Sequence, residues 1–167
     1  EENRGADVAA NSFRWPHAFA DTGSGGVVIA DAGNHRLLRW DQHPESDGPA
    51  DGVLGQPDFA SGGEFPYDPQ VGRLRFPYGV ASHDGGLAVA DTANNRLLLY
   101  SSTSASFHGE PLASLGQPTL AANGENRWDA VAADTMCWPY GVHWWGSSGG
   151  PTVAAPSPQP PARHLRQ

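Results

Sequence analysis

The stretch that decides the fold is Arg75–Tyr100, R-F-P-Y-G-V-A-S-H-D-G-G-L-A-V-A-D-T-A-N-N-R-L-L-L-Y. A near copy lies upstream at Arg14–Trp40, R-W-P-H-A-F-A-D-T-G-S-G-G-V-V-I-A-D-A-G-N-H-R-L-L-R-W. A third begins at Trp138 as W-P-Y-G-V-H-W-W-G-S-S-G-G and then departs from the pattern. Pro16, Pro77 and Pro139 are spaced by 61 and 62 residues, and Asp31 and Asp91 by 60. The flanks repeat as well. Leu54-Gly55-Gln56-Pro57 returns as Leu115-Gly116-Gln117-Pro118, an offset of 61. Glu2-Asn3-Arg4, Val8-Ala9-Ala10 and Trp15-Pro16 return at an offset of 123 as Glu125-Asn126-Arg127, Val131-Ala132-Ala133 and Trp138-Pro139. Self-similarity at one period along a chain marks a repeat architecture.

The bulk composition agrees with short, turn-rich elements. With 21 glycines and 15 prolines in 167 residues, helix is discouraged. Six tryptophans and runs such as Val27-Val28-Ile29 argue for an ordered core between residues 11 and 145. A net charge of −8 makes a polyanion an unsuitable partner, so no nucleic acid is expected. All ten cations are arginine, which, with the Ala/Gly/Pro excess, points to GC-rich coding. Cys137 is the single cysteine, so no internal disulfide can form, and its place beside Trp138 predicts a small buried hydrophobe. No apolar run approaches the roughly 20 residues of a membrane span. The chain starts with Glu, and residues 1–16 match the middle of a repeat, so the natural N-terminus is expected to lie outside this sequence.

Taken in order, residues 1–15 read as the end of a preceding connection. Two units follow, 16–76 and 77–137, each ending in a long connection. Residues 138–150 start a third unit, and 151–167 read as a disordered or frame-shifted tail. Within the first unit, strands are expected at about His17–Ala20, Val27–Ala30, Arg36–Asp41 and Gly52–Gln56. Asp21–Gly26 and Asp31–His35 supply the turns. Four short antiparallel strands per unit, with apolar runs covered on both faces, make an all-β fold of β-propeller blades, here an incomplete propeller.

The D-x-x-N-x-R trios, Asp31/Asn34/Arg36 and Asp91/Asn94/Arg96, have a mechanical reading. The carboxylate accepts turn amides, the asparagine takes a left-handed backbone, and the arginine folds back onto the aspartate. In Pro77-Tyr78-Gly79 and Pro139-Tyr140-Gly141 the glycine lets innermost strands crowd together, although the first copy has Ala18.

The string P-x-G-V-A…D-G-x-L-x-V-A-D-T-x-N-N-R resembles the NHL repeat, a β-propeller blade. It is carried by Pro77, Gly79, Val80, Asp84, Gly85, Val89, Ala90, Asp91, Asn94, Asn95 and Arg96. In the first copy Pro16, Ala30, Asp31, Gly33, Asn34, His35 and Arg36 carry it. The V-L-G-Q-P-D-F segment, Val53–Phe59, resembles bacterial multi-repeat members. The resemblance covers about Phe13–Gly150, and its motifs speak for the blade rather than for an activity.

Strand polarity places the 31–35 and 91–95 turns, the connections 57–75 and 118–137, and the starts of the innermost strands at one end of the sheets. That end is the expected binding face. Its candidate residues are His17, Tyr78 and Tyr140 near the axis, and Phe59, Phe65, Tyr67 and Trp128 on the connections, where the first expectation is that the connections pack over neighbouring blades as cover and the second that they form a rim for a partner. The leading functional expectation is a scaffold that binds a protein or small ligand, without catalysis of its own. No motif for a hydrolase, zinc protease or phosphate loop is present, and no cofactor is expected. Asp21-Thr22-Gly23-Ser24-Gly25 only superficially resembles a calcium loop. Some relatives of the family hold a metal in the axial channel. That resemblance makes His17 the one candidate metal ligand of a metal-dependent lyase or lactonase, with His83 and His143 on or near the innermost strand. Its equivalents Tyr78 and Tyr140 are poor zinc ligands. An RNA-binding role, known for some NHL domains, sits badly with the acidic charge.

After Gly149-Gly150 the earlier copies require x-x-V-A-D-x-x-N-x-R, but the chain keeps only Val153-Ala154 and continues P-S-P-Q-P-P-A-R-H-L-R-Q. From Gln159 onward, the codons read one base displaced permit Asn-His-Arg-Leu-Val-Ile-Tyr. The expectation is a frame slip between Ala154 and Gln159. Sequencing the coding DNA checks it: the displaced frame should spell Asn-His-Arg or a close variant, and any other string rules the slip out.

Overall fold

The computed structural model describes residues 2–65, 71–101, 107 and 109–144, and the backbone of 151–154. Tyr67 and the residues after 154 lie outside the described residues. The architecture is all-β. Strands β1 (Pro16–Asp21), β2 (Val27–Asp31), β3 (Arg36–Trp40) and β4 (Gly52–Leu54) form one antiparallel sheet in sequence order. Strands β5 (Pro77–His83), β6 (Gly86–Asp91), β7 (Arg96–Tyr100) and β8 (Ala113–Leu115) form a second with the same order. A third sheet starts with β9 (Gly141–Trp144) paired to β10 (Pro151–Ala154), so it runs past the boundary drawn at residue 150. The helical segments among the described residues are short 3₁₀ turns, as the glycine and proline content dictates.

The sheets interlock through two unlike faces. The period of two sends Ala20, Val28, Ala30 and Leu37 to one side of the first sheet, where they pack on Val80, Leu87, Val89 and Leu98 of the second. The second sheet repeats the arrangement. Its Ala88, Ala90 and Leu97 pack on Val142 of the third. Small residues on one face meet larger ones on the next. Strand β5 therefore lies between β1 and β9, and Gly79 makes the approach possible. A Cβ there would meet the Tyr140 carbonyl oxygen at 3.0 Å and the Val142 nitrogen at 3.1 Å.

The D-x-x-N-x-R trio does fix the corner between second and third strands, by a different set of bonds from the one expected. Asp31 Oδ1 accepts the Arg14 N–H (2.7 Å) rather than a turn amide, while Oδ2 accepts Asn34 Nδ2 (2.9 Å) and Arg36 Nε (2.7 Å). Asp91 repeats this with Arg75, Asn94 and Arg96 at 2.7, 2.9 and 2.7 Å. The left-handed residue is not the asparagine but the one after it, His35 (φ 55°) and Asn95 (φ 53°). Asn34 and Asn94 lie in the 3₁₀ turn, which frees their amides to bond the aspartate.

Arginine then ties the corner to both connections. Arg36 donates to the carbonyls of Ala9 (2.8 Å), Ser12 (3.0 Å) and Phe59 (2.7 Å), and Arg96 to those of Arg73 (3.0 Å) and Leu120 (2.5 Å). Gln56 and Gln117 work alongside. Gln56 Nε2 donates to the carbonyls of His35 (3.4 Å) and Gly63 (2.9 Å), and Gln117 Nε2 to those of Asn95 (3.0 Å) and Gly124 (2.6 Å).

The 123-residue offset is reproduced in backbone detail. Asn3 and Asn126 are both left-handed (φ 48° and 45°) and donate their N–H groups to Phe13 and Met136, at 2.7 and 3.0 Å. This register explains a correction: Cys137 is exposed, not buried. It occupies the place of Arg14 and Arg75, whose guanidiniums reach out to Glu2 and Glu64 at the surface. Partial desolvation, and then the neighbouring Glu125, push the Cys137 thiol up from its ordinary value, so it stays protonated.

Asp91 and Arg96 are fully buried, and removing one charge leaves the other unpaired. Asp91→Asn is expected to cost about 3–5 kcal/mol in urea unfolding. A loss below about 1 kcal/mol would show that the pair carries no such weight.

Candidate functional site

Three rings from three consecutive copies meet at one end of the innermost strands. His17 is the second residue of β1 and Tyr78 the second of β5, and their rings stack with centroids 4.0 Å apart. Tyr140, just before β9, lies 4.8 Å from Tyr78 and 5.7 Å edge-on from His17. Each follows the repeating proline at or just before the start of its innermost strand, so the repeat itself brings them together. His17 and Tyr140 are exposed and Tyr78 is half-buried. Desolvation, followed by the neighbouring Tyr140, pushes the Tyr78 hydroxyl up from its ordinary value, keeping it a neutral donor. Beneath the rings a groove of about 300 Å³ runs between β1, β5 and β9, lined by Ala18, Phe19, Gly79, Val80, Val142 and His143.

Sequence reasoning missed the residues behind the rings. Phe76 lies 6.3 Å from Tyr78 and 4.4 Å from His35. Trp15, Phe76 and Trp138 are all left-handed (φ 51°, 47° and 50°), an uncommon state for an aromatic side chain. Two of these positions are held by the corner of the copy before. The Phe76 N–H donates to His35 Nδ1 (3.2 Å), and the Trp138 N–H to Asn95 Oδ1 (3.0 Å). The available signal was an aromatic residue before each of Pro16, Pro77 and Pro139.

The other expected site residues are placed elsewhere. Phe59 packs onto the cluster of Val27, Leu38, Trp40 and Val53, so it covers the first sheet. Phe65 is half-buried, with the Arg73 guanidinium 4.5 Å above its ring. Trp128 is 81% exposed and lies against Gly124. Among the described residues, the ring contacts of His17, Tyr78 and Tyr140 include none to Phe59, Phe65 or Trp128.

The residue types set what this arrangement can do. His17 is the candidate metal ligand, but its ring neighbours are two tyrosines. His83 sits at the far end of β5, beside Asp84 (3.4 Å), and only His143 shares the groove with His17. Among the described residues, no three His, Cys, Asp or Glu side chains gather around a common point. In the Asp21–Gly25 turn, Asp21 Oδ1 accepts the Gly23 N–H (2.6 Å), which closes the turn on itself. Asp31 and Asp91 are buried and bonded through both oxygens, an arrangement that holds a corner rather than moves a proton.

His35 gives the site a pH dependence. Burial lowers its pKa from 6.5; Glu64 opposes the shift, and Arg75 and Arg14 add to it. With Nδ1 accepting the Phe76 N–H, the folded state requires the neutral ring. A folded-state pKa below the unfolded value means that this stability is present above 6.5 and declines as pH falls through the folded pKa. His35→Asn installs the residue of the second copy, an acceptor that does not titrate. The loss of Tm between about pH 7.5 and about pH 5.5 should shrink in this variant. An unchanged loss would show that His35 is not responsible.

No protein-family model matches the chain, and no curated protein matches it.

Proposed function

We propose that the chain is part of an NHL-type β-propeller scaffold that binds a protein or small ligand at the end carrying His17, Tyr78 and Tyr140, without catalysis of its own. The observation that carries this reading is the meeting of three rings, one from each copy, over a groove between the innermost strands. Concave sites lined by aromatic and apolar groups with a few polar tips are the usual form of ligand sites. Histidine and tyrosine supply both. The membership in the NHL family rests on the motif residues, and the all-β sheets with their interlocking faces are compatible with it. Among the described residues no helix is long and apolar enough to cross a membrane, and the net charge of −8 leaves a polyanion disfavoured.

A fragment library screened by ligand-observed NMR tests the proposal. Aromatic and amphipathic fragments should bind the chain, and Tyr78→Ala should weaken them about tenfold or more, consistent with loss of a central aromatic contact. Asp84→Ala, in the turn at the opposite end of β5, should leave binding unchanged. Equal losses in both variants, or hits indifferent to Tyr78, would refute the site. Stoichiometric zinc retention lost in His17→Ala would instead favour a metal-dependent propeller enzyme.

A further inference from the structure

The corner residue at position 35 differs from its counterpart in a way that bears on the rings. His35 Nδ1 accepts the Phe76 N–H (3.2 Å), and the two rings meet edge-on at 4.4 Å. Phe76 in turn lies 6.3 Å from Tyr78, the ring that touches both His17 and Tyr140. Phe76 needs this support. Its φ of 47° is uncommon for a bulky residue, and Pro77 after it favours an extended backbone instead. The backbone on its other side is fixed independently, because the Arg75 N–H donates to the buried Asp91 (2.7 Å). At the second corner, Asn95 uses Oδ1 for the Trp138 N–H (3.0 Å) and Nδ2 for the Asn123 carbonyl (3.0 Å). An asparagine amide does not gain a proton in mild acid, and an imidazole does.

We propose that His35 is a proton-operated latch on the ring site: neutral, it holds Phe76 and through it the Tyr78 ring in place, and protonated, it lets both go. Nδ1 then carries a hydrogen and faces the Phe76 N–H donor to donor, so the bond is lost. Phe76 relaxes toward the extended backbone that a residue before proline prefers, which carries its ring away from Tyr78. The surroundings of His35 set the balance. Burial opposes the imidazolium most, Glu64 favours it, and Arg75 and Arg14 oppose it. Glu64 also pairs with Arg75, the residue next to Phe76, so an imidazolium competing for that carboxylate loosens the same stretch. The two corners therefore differ in kind. One responds to pH and lies behind the central ring of three, and the other is fixed. That ligand affinity follows the latch rests on the reading of the rings as a binding site; the latch itself does not.

The test is an NMR titration of the full, uniformly labelled chain between about pH 7.5 and about pH 5. The Phe76 amide and Tyr78 ring signals should move with one midpoint, that of the His35 ring, below 6.5. The Trp138 amide should stay still. His35→Asn, which installs the acceptor of the second corner, should abolish the movement of Phe76. His17 is the other imidazole that touches Tyr78, so His17→Asn is the control and should leave the Phe76 movement intact. A Phe76 amide that stays still while the His35 ring titrates overturns the proposal. So does movement that survives His35→Asn or vanishes in His17→Asn. No ligand enters this readout, which tells a failed latch from a failed binding site. For a fragment that Tyr78→Ala weakens, affinity should fall about tenfold across the same range in the unaltered chain and by less in His35→Asn. Equal falls in the two overturn the coupling to binding.

Discussion

A buried aspartate–arginine pair in each copy is the constraint on which the rest depends. Asp31 and Arg36 are fully excluded from water, as are Asp91 and Arg96. Burying two charges is costly unless every polar atom finds a partner, and here the pair recruits those partners from three separate segments. The carboxylate takes the amide just before the innermost strand. The guanidinium takes carbonyls from the connection before and the connection after. The sheet thereby fixes the paths of chain segments that have no regular structure.

Much of this was legible in the sequence, for a definite reason. The offsets of 60 to 62 residues revealed which positions are equivalent, and short β-branched runs such as Val27–Ile29 located the strands. The pairing of aspartate and arginine was readable because both residues recur at fixed spacing. The role of the other partners was not. Nothing local marks the Arg14 amide as the recipient of Asp31 Oδ1, because the bond closes across 17 residues. The left-handed backbone was assigned to Asn34 and Asn94 on side-chain chemistry. The 3₁₀ turn moves it one residue on, to His35 and Asn95.

The candidate site divides along the same line. His17, Tyr78 and Tyr140 were readable as a set because each follows the repeating proline, and strand polarity put them at one end. Phe59, Phe65 and Trp128 were drawn from the long connections because they are aromatic, and aromatic character does not tell a residue that packs as cover from one that faces a partner. Phe59 covers a sheet. Phe76 was passed over because one residue of difference along a strand start alters which neighbours a ring can reach. Its backbone is held by a residue of the previous copy, a relation that a motif confined to one copy does not contain.

That relation bears on how such a chain can lengthen or shorten in evolution. Each corner residue serves the copy after its own, and either histidine or asparagine performs the task. Unequal crossing-over between any two equivalent positions therefore leaves every donor facing an acceptor, wherever within the period the break falls. Recombination needs to keep phase, but it need not respect the boundaries of a sheet.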